Sequence, residues 1–488
     1  MKASDDLFQL IKSLSVTEKG YFKKYASLHG DMENKNYLKL FDAIEKQEVY
    51  DEDTIKKKFS QEKFIKHLPS EKNYLYHLLL NTLESYNTSN STQHTIKKYL
   101  SNATVLYDKD LIDQAEKFIV KAKDLAYKHE LFVQLLEILD YEKKIFDNKA
   151  LYQKLIEVSQ ERIAITLNLK NIYDYYVLNY EMLQYTKKSG LIREDKDKEV
   201  LKKILDNPLM ANIKNASSVT AKAVYYQNYA TYYYTLGEYD KAYEHIKEQV
   251  ALIENHSWLF PIHYRMGKLV NFLYTCLYEQ KYAEVKKGLI TLRALPQKTK
   301  QTKVEIFFES NLIELIFCCD TGEFEAGVLL ISTIQEGFDT YNASLNEETK
   351  MLFYFYFAQV YFGIGDYNAS LKWVNEILNN KDLNLREDIY FLSKLLNLIV
   401  HFELGNHHLI EYEMRSTYRM LLRRNRLYTF EKILLDFLKK FTDFSSKNEL
   451  IDLFKKLRND LLQLTKNADE KRLIRNNSEF FILVRKQN

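Results

Sequence analysis

Glycine, proline and cysteine are all scarce in this chain of 488 residues, with 12, 4 and 3 copies respectively. β-Sandwiches and dinucleotide-binding α/β folds need many turns rich in glycine and proline, so both classes are disfavoured. Three cysteines without a Cys-x-x-Cys pair do not build a disulfide framework. We therefore expect buried thiols in a reducing compartment.

The short motifs of common catalytic and nucleotide-binding sites are also missing. The chain has no His-Glu-x-x-His and no Gly-x-Ser-x-Gly sequence. Gly322 and Gly327 have the spacing of a phosphate-binding loop, but Val328 stands where the lysine is required. The sequence therefore predicts no cofactor, no bound metal and no enzymatic activity.

The charge is nearly balanced, with 70 basic and 67 acidic residues and a net charge of +3. Total charge therefore gives no sign of a nucleic-acid or membrane partner. Asp5 and Asp6 stand where a signal peptide would begin its apolar run. The densest apolar stretch, residues 351–358, is far shorter than the roughly 20 residues of a membrane span. We expect a cytoplasmic protein without a membrane partner.

What the chain does contain favours an all-α fold, because long runs of helix-forming residues separate the few helix breakers. Residues 1–90 are predicted to form an N-terminal domain of short helices, one of them opened by a capping box from Ser15 to Glu18. A polar linker follows from Asn87 to Thr95. We assign residues 95–440 to a helical repeat array and residues 441–488 to capping helices.

Turn segments of similar sequence recur at a step of about 42 residues, which indicates tandem helical hairpins. They begin at Gly237, Gln280, Gly322, Gly365 and Gly405. Weaker matches precede them at residues 107–115, 147–152 and 188–192. A glycine just past a helix can adopt the left-handed conformation that ends it, and the aromatic residue two positions later starts the packing face of the next helix.

The helix before each of the two best-matching turns carries the same set of residues. These sets are Tyr226, Tyr229, Ala230 and Tyr233 before Gly237, and Tyr354, Phe357, Ala358 and Tyr361 before Gly365. Their spacing places them on one helix face, where the small alanine lets the partner helix come close. In the neighbouring units Leu273 and Leu315 replace this small residue.

This pattern resembles the tetratricopeptide repeat family, although the step exceeds that family's usual length of about 34 residues. The resemblance covers residues from about 95 to about 440. It implies an α-solenoid of helix-turn-helix units whose concave face binds a protein or peptide. The residues that it places on this candidate groove are Gln227, Thr231, Tyr234, Tyr274, Gln359 and Phe362. The tyrosines at 226, 229 and 233 are instead predicted to belong to the core.

Three charged or reactive clusters offer further hypotheses. Arg415, Arg419 and Arg423 step by four along one helix face, which suits an anionic partner or, alternatively, a solvated outer face. His407 and Glu411 are four residues apart and lie near other histidines, as in a metal site or an ordinary polar turn. The adjacent Cys318 and Cys319 suit a redox pair or, in their apolar run, buried core.

The favoured function is a non-enzymatic protein-interaction scaffold, because stacked helical hairpins offer a long surface and position no reactive groups. The alternative is a cytoplasmic regulator whose N-terminal helices bind DNA or a signalling partner under control of the repeats. Its layout resembles that of bacterial peptide-responsive regulators, and residues 56–58 are consecutive lysines in the N-terminal region. Nucleic acid is therefore kept as a second, less favoured partner.

Overall fold

The computed structural model describes residues 5–29, 36–88, 92–189, 195–297, 299–341, 345–379, 387–422, 429–440 and 447–464. These residues are helical almost throughout and include no strand. The chain forms two compact units, Met1–Lys170 with Lys298–Lys300, and Asn171–Gln297 with Gln301–Asn488. In each unit consecutive helices pack against each other, so the predicted all-α, solenoid-type architecture is confirmed.

The helices are numbered in chain order. The first unit contains α1 Asp6–Ser13, α2 Val16–His29, α3 Asn36–Glu45, α4 Glu52–Lys58, α5 Leu68–Thr88, α6 Thr92–Tyr107, α7 Ile112–Lys128, α8 Phe132–Asn148 and the first half of α9 Tyr152–Ser189. The second unit contains the rest of α9, α10 Asp195–Leu205, α11 Val219–Leu236, α12 Tyr239–Asn255, α13 Ile262–Tyr278, α14 Tyr282–Arg293, α15 Lys300–Thr321, α16 Phe324–Tyr341, α17 Glu347–Ile364, α18 Tyr367–Leu378, α19 Glu387–Glu403, α20 His407–Leu422, α21 Thr429–Lys440 and α22 Lys447–Leu464.

The predicted capping box opens α2. The backbone N–H of Ser15 donates to Glu18 Oε2 at 2.8 Å, and the N–H of Glu18 donates to Ser15 Oγ at 3.2 Å. Each side chain thus satisfies a donor that the start of the helix leaves without an intrahelical partner. Helices α1 to α5 enclose a core of their own that includes Ile11, Phe22 and Leu40, none of which is exposed.

One turn geometry recurs at eight junctions between consecutive helices of the described chain. Each described residue with a left-handed φ lies two positions before the start of a helix; these residues are Asp110, Glu130, Ala150, Gly237, Gln280, Gly322, Gly365 and Gly405. At the Gly237 turn the glycine N–H donates to Tyr234 O at 3.0 Å, and the next N–H donates to Tyr233 O at 2.9 Å. This pair of bonds is the Schellman motif, which satisfies the last carbonyls of the helix.

All five turns predicted from the sequence therefore contain a residue with a left-handed φ at the predicted position. The structure adds three turns of the same type in the first unit, at Asp110, Glu130 and Ala150. Two of these lie within the weaker sequence matches, whereas Glu130 lies outside them. The predicted boundary between residues 90 and 95 stays a prediction. The two compact units divide within α9.

Close approach of the two helices in a hairpin depends on small residues, as the repeat pattern predicts. At the Gly365 turn the Ser370 hydroxyl of α18 donates to the Ala358 carbonyl of α17 at 2.8 Å. At the Gln280 turn the bulky Leu273 of α13 is accommodated by Gly288 of α14. A Cβ added at Gly288 would lie only 2.3 Å from Leu273 Cδ2, so the small residue has moved to the second helix.

Candidate functional site

A cavity of about 440 Å³ lies in the second unit between the end of α9 and helices α11, α12 and α13. Its described lining is uncharged. The apolar and aromatic lining residues are Leu183, Ala230, Tyr234, Ala242, Ile246 and Tyr274, and the polar ones are Thr186, Gln227, Thr231, Thr235, Asn271 and Thr275. A volume of this size, lined by both apolar and polar side chains, lies within the range of ligand-binding sites.

Four of the predicted groove residues line this one cavity: Gln227, Thr231, Tyr234 and Tyr274. Gln227, Thr231 and Tyr234 come from α11 and Tyr274 comes from α13, and both helices line the cavity. Tyr234 remains 41% exposed and packs edge-on against Tyr239 and Tyr278, at centroid distances of 5.2 and 6.0 Å. The tyrosines at 226, 229 and 233 on the same helix are less exposed.

The other two predicted groove residues lie elsewhere, and their placement on an accessible groove is corrected. Phe362 is 2% exposed and belongs to the core that also contains Ile389 and Leu392 of α19. Gln359 is 5% exposed, and its Nε2 has no hydrogen-bond partner among the described residues. Phe362 is the third residue before its glycine, as Tyr234 is, but the neighbouring helix covers it.

A chain of hydrogen bonds runs along one wall of the cavity. The Lys268 ammonium of α13 donates to Gln227 Oε1, which also accepts from Gln249 Nε2 at 3.3 Å. Gln227 Nε2 then donates to Thr231 Oγ1 at 2.9 Å. Gln249 is itself held in place because its Nε2 also donates to the Ala223 carbonyl at 2.7 Å. The bonds from Lys268 through Gln227 to Thr231 therefore run from the cation to a hydroxyl that lines the cavity.

Lys268 begins this chain in an unusual environment for a lysine. Its side chain is partly buried, and its ammonium lies 5.0 Å from the centre of the Tyr264 ring. No described carboxylate forms an ion pair with it, and burial lowers its pKa to about 8. Sequence reasoning missed this residue, although a single lysine within the apolar run of α13 was a usable signal.

The tyrosine-rich face of α11 packs mostly against its own hairpin partner. The His245 ring of α12 stacks on Tyr229 and Tyr233, with ring centroids 4.7 and 5.5 Å apart. The Tyr229 hydroxyl donates to the Met210 carbonyl at 2.8 Å. Burial lowers the pKa of His245. These tyrosines are half-buried packing residues, which favours the core interpretation over a base-stacking surface.

The remaining reactive residues do not assemble into a site in the described chain. Cys276, Cys318 and Cys319 are all buried, and burial raises the pKa of Cys318 to about 11, which disfavours a reactive thiolate. No three described His, Cys, Asp or Glu residues are placed to hold a metal ion. The side chains of His407 and Glu411 lie outside the described residues.

The predicted arginine face is described only in part. Arg415 and Arg419 are exposed on α20, and Arg419 Nε donates to the Arg415 carbonyl at 3.2 Å. Arg423 lies outside the described residues. In the N-terminal helices, Lys56 pairs with Glu52 at 2.9 Å, so part of the lysine cluster is offset by a nearby acid.

No protein-family model matches the chain, and no curated protein matches it either. None of the described helices is both long enough and apolar enough to cross a bilayer. Fold and cavity together define the class: an all-α protein of consecutively packed helices with an uncharged cavity between α9, α11, α12 and α13.

Proposed function

We propose that the chain is a non-enzymatic interaction scaffold that binds a protein or peptide segment over the cavity between α9, α11 and α13. The observation that carries this proposal is the convergence of Gln227, Thr231, Tyr234 and Tyr274 on one cavity. Aromatic side chains around an uncharged centre are characteristic of protein-binding surfaces, where a few of them dominate the binding energy. The tetratricopeptide resemblance of the sequence supports the same function.

The rim of the cavity offers anchors that a partner can reach without disturbing the core. Leu183 of α9 is 46% exposed and Tyr234 of α11 is 41% exposed. Both line the cavity, so a partner's side chain entering it would contact them from two different helices. Phe362 is unsuitable as a probe of binding, because removing it would open a cavity in the core.

The test is affinity capture by the full-length protein, followed by binding measurements with the purified partner. The variant carries Leu183→Ala and Tyr234→Ala, and the control is Tyr412→Ala, whose side chain on α20 is 66% exposed. Because binding anchors cost at least about 2 kcal/mol on truncation, the variant should lose roughly 30-fold in affinity while the control is unchanged. Equal affinity of variant and control for every captured protein contradicts the proposal.

A further inference from the structure

The cavity wall on α11 presents two hydroxyl groups with donating hydrogens to spare. Thr231 Oγ1 accepts from Gln227, so its own hydrogen points away from that bond. Neither Thr231 nor Thr235 donates to another described residue, although both line the cavity. Thr186 and Thr275 differ, since each donates to a carbonyl of its own helix, at 3.0 and 2.8 Å. Two hydroxyls of α11 are thus available to a ligand, beside the Asn271 amide of α13.

These two hydroxyls are one helical turn apart, which suits a ligand group with two acceptor atoms. Side chains at positions i and i+4 are separated by about 6 Å. Two hydrogen bonds of about 2.7 Å each, converging on the two oxygens of one carboxylate, span that separation. A single carbonyl or hydroxyl on a ligand would leave one of the donors unused.

The hydrogen-bond chain behind Thr231 favours a negatively charged acceptor over a neutral one. It starts at the Lys268 ammonium and passes through Gln227, with each donor oriented towards the cavity. Successive bonds of this kind polarise one another, and a partly buried cation without an ion-pair partner is stabilised by an anion nearby. Apolar side chains of other helices also line the cavity, including Leu183 of α9 and Ile246 of α12.

We propose that this cavity binds a small amphipathic carboxylate, with its carboxylate on Thr231 and Thr235 and its apolar body against Leu183 and Ile246. A charged group accounts for the polarity of one wall, and a hydrocarbon body accounts for the other. The assignment goes beyond the scaffold function and does not depend on it, because it requires only the cavity of the isolated protein. A ligand bound there would occupy the same space as a partner's side chain.

Calorimetric titration of the full-length protein with octanoate, 1-octanol and octylammonium tests this assignment. Octanoate should bind at one site about tenfold more tightly than octanol, because hydrogen bonds to a charged acceptor are the stronger ones. Octylammonium should be the weakest of the three. Raising the pH from about 7 to about 9 should weaken octanoate but not octanol binding, since Lys268, with its pKa of about 8, loses its proton.

Matched variants distinguish the loss of polar contacts in the cavity from a general loss of stability. Thr231→Val and Lys268→Met should each remove most of the preference for octanoate over octanol, whereas Thr231→Ser should retain it. The control is Lys247→Met, which removes an exposed lysine from α12 and should leave all three affinities unchanged. Unchanged helical circular dichroism shows that each variant is folded.

Several outcomes overturn the proposal. It fails if no probe binds, if octanol and octanoate bind equally, or if Lys268→Met behaves like Lys247→Met. An apolar tripeptide that outcompetes octanoate only when its C-terminus is a free carboxylate would assign the site to a chain terminus and exclude the small-molecule assignment. Partner capture is measured in a separate experiment. A failure to bind octanoate therefore does not refute the scaffold proposal, and a failure to capture a partner does not refute the carboxylate site.

Discussion

Two glycines in adjacent helices should respond differently to the same substitution. Gly267 lies in α13, where an added Cβ would have no atom within 4 Å. Gly288 lies in α14, where the Cβ would come within 2.3 Å of Leu273 Cδ2. Carbon atoms in contact are normally separated by about 3.5–4.0 Å, so at Gly288 the neighbour must move by more than 1 Å. Leu273 has no exposed surface into which it could swing.

The magnitudes follow from two opposing effects. Alanine is favoured over glycine within a helix by about 1 kcal/mol, which applies at both positions. Overpacking a filled core costs about 1–3 kcal/mol, which applies at Gly288 alone. We therefore expect Gly267→Ala to stabilise its hairpin by about 1 kcal/mol, and Gly288→Ala to change the stability by anything from about zero to a loss of about 2 kcal/mol.

Native-state hydrogen exchange of the amides in α13 and α14 measures these changes, because it reports the opening free energy of this hairpin rather than of the whole chain. Each 1.4 kcal/mol is about a tenfold change in the opening equilibrium. Adding Leu273→Ala should remove the close contact, so the two substitutions should couple by about 1–3 kcal/mol in a double-mutant cycle. If Gly288→Ala protects α14 as strongly as Gly267→Ala protects α13, the close-contact argument is wrong.

Two further predictions concern the turns and the pH dependence. Gly365→Ala should lower the hairpin's opening free energy by about 1–2 kcal/mol, because its φ of 90° is unfavourable for alanine even though an added Cβ meets no atom within 4 Å. Gln280→Gly should raise it by up to a similar amount, since Gln280 holds a φ of 55°; equal effects of the two substitutions would contradict this reasoning. Because burial lowers the folded-state pKa of His245 below its ordinary value of 6.5, its contribution to stability is full above about pH 6.5 and is lost as the pH falls towards the folded-state pKa. Urea unfolding midpoints of the wild type and His245→Phe should therefore diverge below about pH 6.5, and parallel pH profiles would count against the assignment.

The hairpin turns could be predicted where glycine supplied a local signal. Gly237, Gly322, Gly365 and Gly405 all hold the left-handed conformation that glycine adopts without steric cost. Gln280 was found only because its position fitted the regular step. Glu130 has the same backbone conformation, with a φ of 47°, but its residue type gives no indication of it. There the packing of α7 and α8 imposes a turn that local sequence does not favour.

The cavity could be predicted within one helix but not between helices. Gln227, Thr231 and Tyr234 follow at intervals of four and three, so helical geometry alone places them on one face. The solvent exposure of such a face depends on how the next helix packs against it. The sequence of one helix does not predict that packing. Tyr234 and Phe362 hold the same repeat position, yet α19 packs against Phe362 and removes it from solvent.

The recurring left-handed turn also bears on how the chain folds. Each such junction spans only a short run of consecutive residues, as from Tyr233 in the last turn of α11 to Tyr239 at the start of α12. A hairpin can therefore form before the distant parts of its unit are available, and contacts local in sequence favour rapid folding. Emerging from the ribosome, the polypeptide would acquire its hairpins one after another, each new one offering a surface on which the next can nucleate.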